Sequence, residues 1–502
     1  MKKAHLLKAM DMGINTHHEP VIYMREDCEI CRSEGFSANS RLQLEYADSS
    51  IIATLNIVDN PVLPKGYAGL SKIALQRLAI QAGDTIDIKQ APVVSSLAAV
   101  RKKIFGNRLS LDDFTGIITD ISNHRYSDIE IASFLSVCAG SRLNLEEIIG
   151  LTLAMVNSGK RLSWPEHKQV FDKHCVGGLP GNRTTPIVVS IVSAGGLTIP
   201  KTSSRAITSP AGTADTLETI THVNLSLADM QRVVSQTGAC LAWGGAVSLS
   251  PTDDLLIRIE RALELDGEGQ LIASVLSKKI AAGSTHVVID VPVGETAKVR
   301  SHTDAQRLID LFTQVGEACG LTVRCVLTDG SQPVGQGIGP VLEAQDLLAV
   351  LQNKPDAPTD LRDRALLLCA HLFDLAEQCG QQKGLEKATT ILDSGAAWEQ
   401  FQRIAEAQGG LKTPGKARYR HTERASRNGM LNAIDNRQLA RLAKLAGAPS
   451  SAEAGLFLHT KVGEMVTTDS PVFTLHSQSK GELDYALAYY HQASIFSIKD
   501  TQ

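Results

Sequence analysis

Hydrophobic positions change their spacing along the chain, and these changes predict regions of different structure. Up to about residue 90, Arg41–Ala47 and Ile51–Asn56 alternate or run apolar between turn residues, which predicts a β-rich region. Further along, apolar residues recur every three to four positions in Leu111–Ile121, Ser127–Ala139 and Asn144–Asn157. That spacing is typical of helices with one buried face, so a helical region follows the β-rich one.

Local signals refine these predictions. Ser127 and Asn144 are predicted N-caps, because each side chain can accept a hydrogen bond from a free backbone N–H. Acidic residues follow both closely, and they favour a helix N-terminus. Asp253–Leu265 and Gln270–Ala281 are predicted to be two further helices.

The second half of the chain alternates between strand and helix patterns, which is typical of an α/β protein. The predicted elements are the strand Val287–Val293, the helix Thr303–Ala318, the strand Leu321–Leu327 and the helix Leu342–Leu351. Near the C-terminus, Lys461–Thr468 and Pro471–His476 are predicted strands.

Together these patterns predict a multidomain α/β protein with a β-rich N-terminal domain, a helical domain, a large mixed α/β domain and a small C-terminal α+β part. The predicted divisions are 1–90 for the β-rich domain, 91–165 with about 252–283 for the helical domain, 166–251 and 284–410 for the α/β domain, and 411–502 for the C-terminal part.

The stretch from Asp172 to Glu218 has the composition that a phosphate oxyanion requires. Glycines let backbone N–H groups approach a ligand, and short hydroxyls and cations add donors and charge. No acidic residue lies between Lys173 and Ala214, and a carboxylate there would repel phosphate. The cations are Lys173, Arg183, Lys201 and Arg205, and the hydroxyls are those of Thr184, Thr185, Ser203, Ser204, Thr208, Ser209 and Thr213.

Two structures fit the apolar run Ile187–Ala194. Thr185 as N-cap, Pro186 at the first helical position and glycines after the run favour a helix. The β-branched residues favour a strand instead. A helix would place its N-terminus beside the Gly-rich loop and would complete an anion site. The glycine spacing fits neither a P-loop nor a dinucleotide-binding fingerprint.

The sequences DKHCVGG and SSRAITSPAGTADTLE resemble two motifs of the thymidine/pyrimidine-nucleoside phosphorylase family. The segment KTSSRAITSPAGTAD is similar to sequences of the AMP phosphorylase branch and of long bacterial members of the family. The resemblance runs from about Leu109 to the C-terminus, and the first ninety residues resemble only the long branch. It implies phosphorolysis of an N-glycosidic bond, with phosphate as co-substrate, no cofactor or metal, and a site in the cleft between the helical and α/β domains.

The resemblance also implies roles for individual residues. Phosphate contacts fall on Lys173, Cys175, Gly178, Thr184, Thr185, Ser203 and Thr213. Substrate contacts fall on Ser204, Arg205, Ala206, Ile207, Thr208, Ser209, Ser274, Lys278 and Lys298. His174 matches a histidine on the base side, and Asp266 matches the proton donor of the AMP branch.

The chain departs from the family motifs at two places. Cys175 stands where the loop usually has serine, so a weak thiol donor replaces a hydroxyl. The segment Ser209-Pro210-Ala211 replaces the histidine-containing segment of ordinary thymidine phosphorylases. Whether the substrate is thymidine or a nucleoside 5′-monophosphate therefore stays open.

Several residues have an ordinary structural interpretation beside the functional one. Asp266 lies in LDGEG, where a solvated turn aspartate is expected, and His174 alone would be a turn histidine. Arg258 and Arg261 lie on an acid-rich helix, so they form ion pairs or contact the base. Cys28 and Cys31 form a lone CxxC that is either a pair of free thiols or, with His17 and His18, a zinc site.

Composition excludes some classes of partner. The 502 residues are 43% apolar and carry 50 basic and 54 acidic side chains, for a net charge of −4, which favours neither a nucleic-acid polymer nor an anionic membrane. Nine scattered cysteines and no apparent signal peptide predict a reduced, cytoplasmic protein. The apolar helix faces predict a homodimer or a larger homo-oligomer.

Two other functions compete with phosphorolysis. An anthranilate-type phosphoribosyltransferase has a related fold, but it uses magnesium and acidic ligands for pyrophosphate, and the acid-poor stretch argues against it. A non-catalytic nucleotide-binding protein would keep the anion site without turnover.

Overall fold

The computed structural model of the protein describes residues 6–59, 62–206, 209–247, 249–265 and 267–500. Within it, the chain divides into two compact units. The first comprises Met1–Asn107 and Gly116–Ser133, and the second comprises Arg108–Thr115 and Phe134–Gln502. The four-domain division of the sequence stays a prediction.

The first unit is built on a closed barrel. Its strands are β1 (Leu6–Asp11), β2 (Val21–Arg25), β3 (Arg41–Tyr46), β4 (Ser49–Val58), β5 (Tyr67–Leu70) and β6 (Thr85–Gln90), in the order β1-β5-β2-β4-β3-β6. Its helices are α1 (Glu29–Glu34), α2 (Lys72–Leu78) and α3 (Leu97–Ile104), and parts of α4 (Leu111–Ser122) and α5 (Asp128–Cys138) also belong to it.

The alternating sequence pattern explains the barrel. On β3, Leu42 and Leu44 are fully buried while their neighbours are partly exposed, and Ile86 and Ile88 on β6 repeat this pattern. Side chains of a strand point alternately to its two faces, so one face fills the barrel interior. The predicted β-rich N-terminal region is confirmed.

The second unit begins with helices and continues as α/β. Its first elements are α6 (Leu145–Ser158), β7 (Phe171–Cys175), α7 (Thr184–Ala194), β8 (Ile199–Ser203), α8 (Thr213–Glu218), α9 (Leu227–Thr237), β9 (Ala239–Trp243), α10 (Pro251–Leu263) and α11 (Glu268–Ala281). Then follow β10 (His286–Val293), α12 (His302–Ala318), β11 (Thr322–Asp329), β12 (Gly337–Ile338), α13 (Pro340–Leu351), α14 (Thr359–Glu377), α15 (Gln381–Asp393) and α16 (Ala396–Ala407).

The remaining elements form the C-terminal part. They are β13 (Tyr419–Arg424), β14 (Gly429–Ile434), α17 (Asn436–Leu445), β15 (Gly455–Leu458), β16 (Met465–Val466), β17 (Pro471–Ser477), α18 (Lys480–Gln492) and β18 (Phe496–Lys499). They contribute to two sheets, ordered β12-β15-β17-β13 and β16-β14-β18. The strand Pro471–His476 is confirmed, but only Met465–Val466 of the predicted strand Lys461–Thr468 pairs with a neighbour.

Parallel strands place the phosphate elements at one end of the sheets. β10 pairs in parallel with both β7 and β11, and β8 pairs in parallel with β9. The backbone N–H of Phe171 at the start of β7 donates to Thr198 O just before β8, so the two sheets meet there. Ligand sites of α/β proteins commonly lie at the carboxyl ends of such strands.

The run 187–194 is a helix, so its interpretation as a strand is wrong. Every residue of α7 from Thr184 to Ser193 is buried, and α7 packs against α14 and α16. A helix that is apolar all round is a core helix, and this burial outweighs the strand preference of β-branched residues. The cap assignment is also corrected, because Arg183 is the N-cap and Pro186 is the third helical residue.

The N-caps predicted for the helical region are confirmed. Asn144 accepts a hydrogen bond from Glu147 N while the Glu147 side chain accepts one from Asn144 N, which is a capping box. Ser127 and Glu130 exchange the same two bonds at the start of α5. Each box satisfies donors that the helix itself leaves free.

Candidate active site

Lys173 is the centre of the predicted phosphate site. It is the middle residue of β7 with 1% of its surface exposed, and its Nζ donates to Thr184 Oγ1 at 2.7 Å and to Thr185 Oγ1 at 3.5 Å. Both threonines open α7, so the ammonium group and two hydroxyls meet at a helix N-terminus. Burial lowers the pKa of Lys173, and nearby Cys175 and Asp290 partly offset that effect.

The other three cations of the stretch pair with carboxylates. Arg183 Nε lies 2.6 Å from Glu343 Oε2, Lys201 Nζ lies 3.0 Å from Asp172 Oδ1, and Arg205 Nη1 lies 2.6 Å from Glu218 Oε2. Among the described residues, Lys173 alone of the four has no carboxylate within ion-pair distance. The lack of acidic residues between Lys173 and Ala214 therefore predicted more free positive charge than the site has. Folding brings carboxylates from outside this stretch next to three of its cations.

A fully buried charge cluster begins at Asp172, the residue before Lys173 on β7. The Asp172 carboxylate lies 3.0 Å from Lys201 Nζ and 2.8 Å from Lys279 Nζ. Burial acts to raise the pKa of Asp172, yet the two ammonium groups hold it below its ordinary value. Burial lowers the pKa of Lys279, and Asp172 opposes that shift. Sequence reasoning did not assign this cluster.

His174 is close enough to these lysines for their charges to act on it. Burial, together with the charges of Lys279, Lys201 and Lys278, lowers the pKa of His174 well below its ordinary value. The ring is therefore neutral at physiological pH and can both donate and accept a hydrogen bond. It adds no cation to the site.

Ser203 ends β8 with a buried hydroxyl that makes no hydrogen bond with any described residue. Buried hydroxyls normally have a partner, so this Oγ is available to a bound oxyanion. The loop that follows is held by Asp215, whose Oδ2 accepts from Ala206 N at 2.6 Å and from Gly212 N at 2.9 Å.

Thr213 follows this loop and opens α8. Arg183 Nη1 donates to Thr213 Oγ1 at 2.8 Å, and Arg183 Nη2 donates to Ala211 O at 2.9 Å. The Arg183 guanidinium thus ties the start of α7 to the start of α8. Two predicted phosphate contacts, Thr184 and Thr213, are brought to one region by this side chain.

Two glycines of the Gly-rich loop, Gly178 and Gly181, approach their neighbours too closely for any other residue. A Cβ at Gly178, which has φ +83°, would lie 2.5 Å from the backbone nitrogen of Lys298. The structure thereby places Lys298, distant in sequence, against the phosphate loop. Gly181, with φ +74°, is equally restricted, since a Cβ would lie 2.1 Å from Val334 O.

Cys175 is a neutral thiol in this environment. Burial and the nearby Asp290 carboxylate raise its pKa to about 12. Asn182 Nδ2 lies 3.3 Å from Cys175 Sγ and donates to Asp290 Oδ2 at 2.9 Å. Asn182 and Asp290 were not predicted as site residues, and the only signal for Asp290 was an acidic residue inside the apolar strand β10.

The predicted base-side residues lie on α11. Lys278 Nζ lies 3.2 Å from Ser274 Oγ and 2.7 Å from Asp253 Oδ2. Asp253, fully buried on α10, was also missed, because an aspartate near a helix start needs no functional explanation. The charge of Lys278 acts on His174, so α11 and the end of β7 are close neighbours.

The other predicted substrate residues have structural contacts or fall outside the described ranges. Arg205 pairs with Glu218 and Asp215 and stacks on Trp243 at 4.8 Å. Ser209 Oγ donates to Ala211 O, and Ser204 O accepts from Ala214 N. Ile207, Thr208 and Asp266 lie outside the described residues.

Two further observations concern classes of function. Among the described side chains, no group of three or more His, Cys, Asp or Glu could hold a metal ion, and Cys28 and Cys31 are free thiols. No helix in the described ranges is long and apolar enough to cross a membrane.

Comparison with known proteins identifies the family. Residues 97–159 match the glycosyl transferase family helical bundle domain, 167–398 its a/b domain, and 430–497 the pyrimidine nucleoside phosphorylase C-terminal domain. The chain is 54% identical over 98% of its length to a Ralstonia nicotianae protein named "Putative thymidine phosphorylase", covering 96% of that protein. It is 55% identical over 95% of its length to "Putative thymidine phosphorylase 1" of Cupriavidus necator, covering 92% of it.

The chain belongs to the thymidine/pyrimidine-nucleoside phosphorylase family. As a member, it is a glycosyltransferase of the pentosyltransferase class.

Solved structures show a wider relationship of fold. Anthranilate phosphoribosyltransferase from Thermus thermophilus matches with a TM-score of 0.51 at 18% identity, over 62% of this chain and 99% of that one. The Saccharomyces cerevisiae enzyme, in complex with PRPP and Mg, matches with a TM-score of 0.52 at 15% identity, over 63% and 98%. At these identities the likeness concerns the fold alone.

Proposed function

We propose that this protein cleaves the N-glycosidic bond of a nucleoside or nucleoside 5′-monophosphate with inorganic phosphate, releasing the base and a pentose 1-phosphate. The observation that carries the proposal is the buried Lys173 ammonium beside two threonine hydroxyls, without a carboxylate partner among the described residues. A buried, unpaired ammonium is costly, and a bound oxyanion compensates it.

Phosphorolysis makes three demands, and the described residues supply parts of each. Phosphate must be held against the sugar, which Lys173, Thr184 and the Ser203 hydroxyl accomplish as positioned donors. Positive charge that grows on the sugar is balanced by that phosphate. Negative charge that grows on the departing base meets Lys278 and the neutral ring of His174.

We further propose that the substrate carries a 5′-phosphate. Lys298 is brought to the phosphate loop at Gly178, and Ser209-Pro210-Ala211 replaces the histidine-containing segment of ordinary thymidine phosphorylases, while serine and threonine residues remain around it. Asp266 would then protonate a purine ring nitrogen. The names of the bacterial relatives point instead to thymidine, which is therefore the alternative substrate to compare with a monophosphate.

The test compares kcat/KM for AMP, CMP, UMP and thymidine, with free base as the measured product, in wild type and Asp266→Asn. We expect turnover that requires phosphate and no added metal, a preference for a monophosphate, and loss of AMP cleavage in the variant. Base release that persists without phosphate would indicate a hydrolase. A strong preference for thymidine with a harmless Asp266→Asn would refute the 5′-phosphate proposal while leaving phosphorolysis intact.

A further inference from the structure

A cavity of about 360 Å³ lies in the second unit, between the start of α13 and the sheet of the C-terminal part. Its floor is one face of that sheet. On β13 and β17, Arg420 lies opposite His476 and Thr422 lies opposite Thr474, and Phe457 of β15 lies opposite Thr474 from the other side. Residues directly opposite each other share a face, so these five side chains stand on one surface.

The opposite face of the same sheet forms the hydrophobic core of the C-terminal part. Leu456, Leu458, Phe473 and Leu475 are all buried there. Packing in this core therefore explains every second residue of these strands. It does not explain the polar and aromatic residues between them, which face the cavity. None of the candidate phosphate or base contacts lines this cavity.

Two cations and one carboxylate line the cavity, which leaves it with a net positive charge. Arg420 and Lys416 both line it and are both exposed, and neither side chain makes an ion pair or hydrogen bond with any described residue. The Glu453 carboxylate lies against Gly415, the residue before Lys416, and supplies the one negative charge of the lining. An arginine fork and an ammonium group together favour a phosphate group, which arginine can bind through two parallel hydrogen bonds.

The rest of the lining fits a larger molecule than a bare phosphate. Phe457 lies edge-on to His459, with 5.2 Å between ring centres, and provides an aromatic surface. The hydroxyls of Thr422 and Thr474 are 2.8 Å apart, and His459 Nε2 lies 2.7 Å from Thr474 Oγ1. The volume falls within the range of about 300–1,000 Å³ typical of small-molecule sites.

We propose that this cavity is a second ligand site that binds a nucleotide, with its phosphate on Arg420 and Lys416 and its base against Phe457. The hydroxyls of Thr422 and Thr474 and the carboxylate of Glu453 would form hydrogen bonds with the ribose. Helix α13 connects this site to the phosphate loop, because Gln345 lines the cavity while Glu343 of the same helix pairs with Arg183. The proposal does not depend on a nucleotide being the substrate.

The test counts bound AMP per chain by equilibrium dialysis with radiolabelled AMP in phosphate-free buffer, where phosphorolysis cannot proceed. We compare wild type with Arg420→Glu and with Arg427→Glu, a control that reverses an exposed arginine of the same region outside the cavity. Arg420→Glu should weaken one class of site by at least about tenfold, while Arg427→Glu should leave both classes unchanged.

The outcomes distinguish the proposal of a nucleotide site in the cavity from the proposal that the substrate is a nucleoside 5′-monophosphate. Two sites in wild type and one in Arg420→Glu support both proposals. One site in wild type and none in Arg420→Glu support the cavity and argue against AMP as a substrate. Equal AMP binding by wild type and Arg420→Glu overturns the cavity proposal. If Arg420→Glu fails to fold by circular dichroism, Lys416→Glu makes the same charge reversal in the loop before β13 and is judged by the same counts.

Discussion

Lys173 Nζ donates to Thr184 Oγ1 at 2.7 Å, and this bond joins the middle of a strand to the first residue of a helix eleven positions later. The ammonium group is buried beside neutral hydroxyls, whereas Arg183, Lys201 and Arg205 are each neutralised by a carboxylate. The site thus keeps one positive charge available for phosphate and uses the others to fix its walls.

The first prediction follows from this buried charge. Lys173→Met should lower kcat/KM for phosphate by about 2–4 kcal/mol in transition-state free energy, because a charge-assisted donor is lost. Its free energy of unfolding should stay equal or rise, since burial disfavours the ammonium group. Steady-state kinetics and urea unfolding measure the two effects. Unchanged phosphate kinetics would refute the assignment of Lys173.

Ser203→Ala is the matched variant for a neutral donor at the same site. It should cost about 1 kcal/mol, less than Lys173→Met, because a hydroxyl contributes less than a charged donor. The loss should appear in the KM for phosphate. A loss equal to that of Lys173→Met would show that Ser203 does more than bind phosphate.

A second prediction concerns the buried cluster of Asp172, Lys201 and Lys279. Asp172→Asn should destabilise the fold by about 3–5 kcal/mol, since it leaves two buried ammonium groups without a counter-charge. Lys201→Met should cost less, because Asp172 keeps its pair with Lys279. Chemical unfolding of both variants tests the order, and equal losses would contradict it.

The same cluster predicts a pH dependence of stability. The pKa of Asp172 lies below 3.8 in the folded protein, so its contribution is complete above 3.8 and is lost as pH falls through the folded value. The free energy of unfolding of wild type should therefore fall more steeply on acidification than that of Asp172→Asn. Parallel curves for the two proteins below that pH would argue against the buried pairs.

A fourth prediction concerns the protonation state of His174. The pKa of this ring lies well below 6.5, so the neutral form is present throughout about pH 6–8. The pH profile of kcat/KM in this range should be the same for wild type and His174→Gln, although the variant is slower overall. An inflection present in wild type and absent from His174→Gln would show that His174 titrates there.

The last prediction uses the contrast between two thiols. The pKa of Cys175 is raised to about 12, whereas a hydrogen bond from Cys31 lowers the pKa of Cys28 to about 6. Because thiolates react faster with iodoacetamide, Cys28 should be labelled first at pH 7.5, without loss of activity, and Cys175 only slowly. Mass spectrometry of peptides and an assay of each fraction test this. Rapid labelling of Cys175 would show that its thiol is not buried beside Asp290.

Cys175→Ser extends that prediction to the reaction. A hydroxyl is a stronger donor than a thiol, so the variant should stay active with a lower KM for phosphate. An unchanged KM in this variant would show that the side chain at position 175 does not contact phosphate.

The sequence by itself determined the class of fold, the main elements and the family. The spacing of apolar residues is a local property, so it located the barrel strands β3 and β4, the helices α4–α6 and the alternation from β10 to α13 correctly, but not the barrel strands β1, β2 and β5. The motifs around Lys173 and Thr213 led to a family that comparison with known proteins confirms. What these signals share is that they are carried by neighbouring residues.

Only the tertiary structure decided what depends on distant partners. The β-branched run of α7 is a helix because it is buried on all sides, which no window of sequence reveals. Asp172, Asp253 and Glu343 acquire their roles from cations or hydroxyls that come from other elements, as Asp290 does from Asn182 and Thr328. The charge available at an anion site is set by these pairings through space. Counting charges along the chain could not determine that, of the four cations and among the described residues, Lys173 alone has no carboxylate within ion-pair distance.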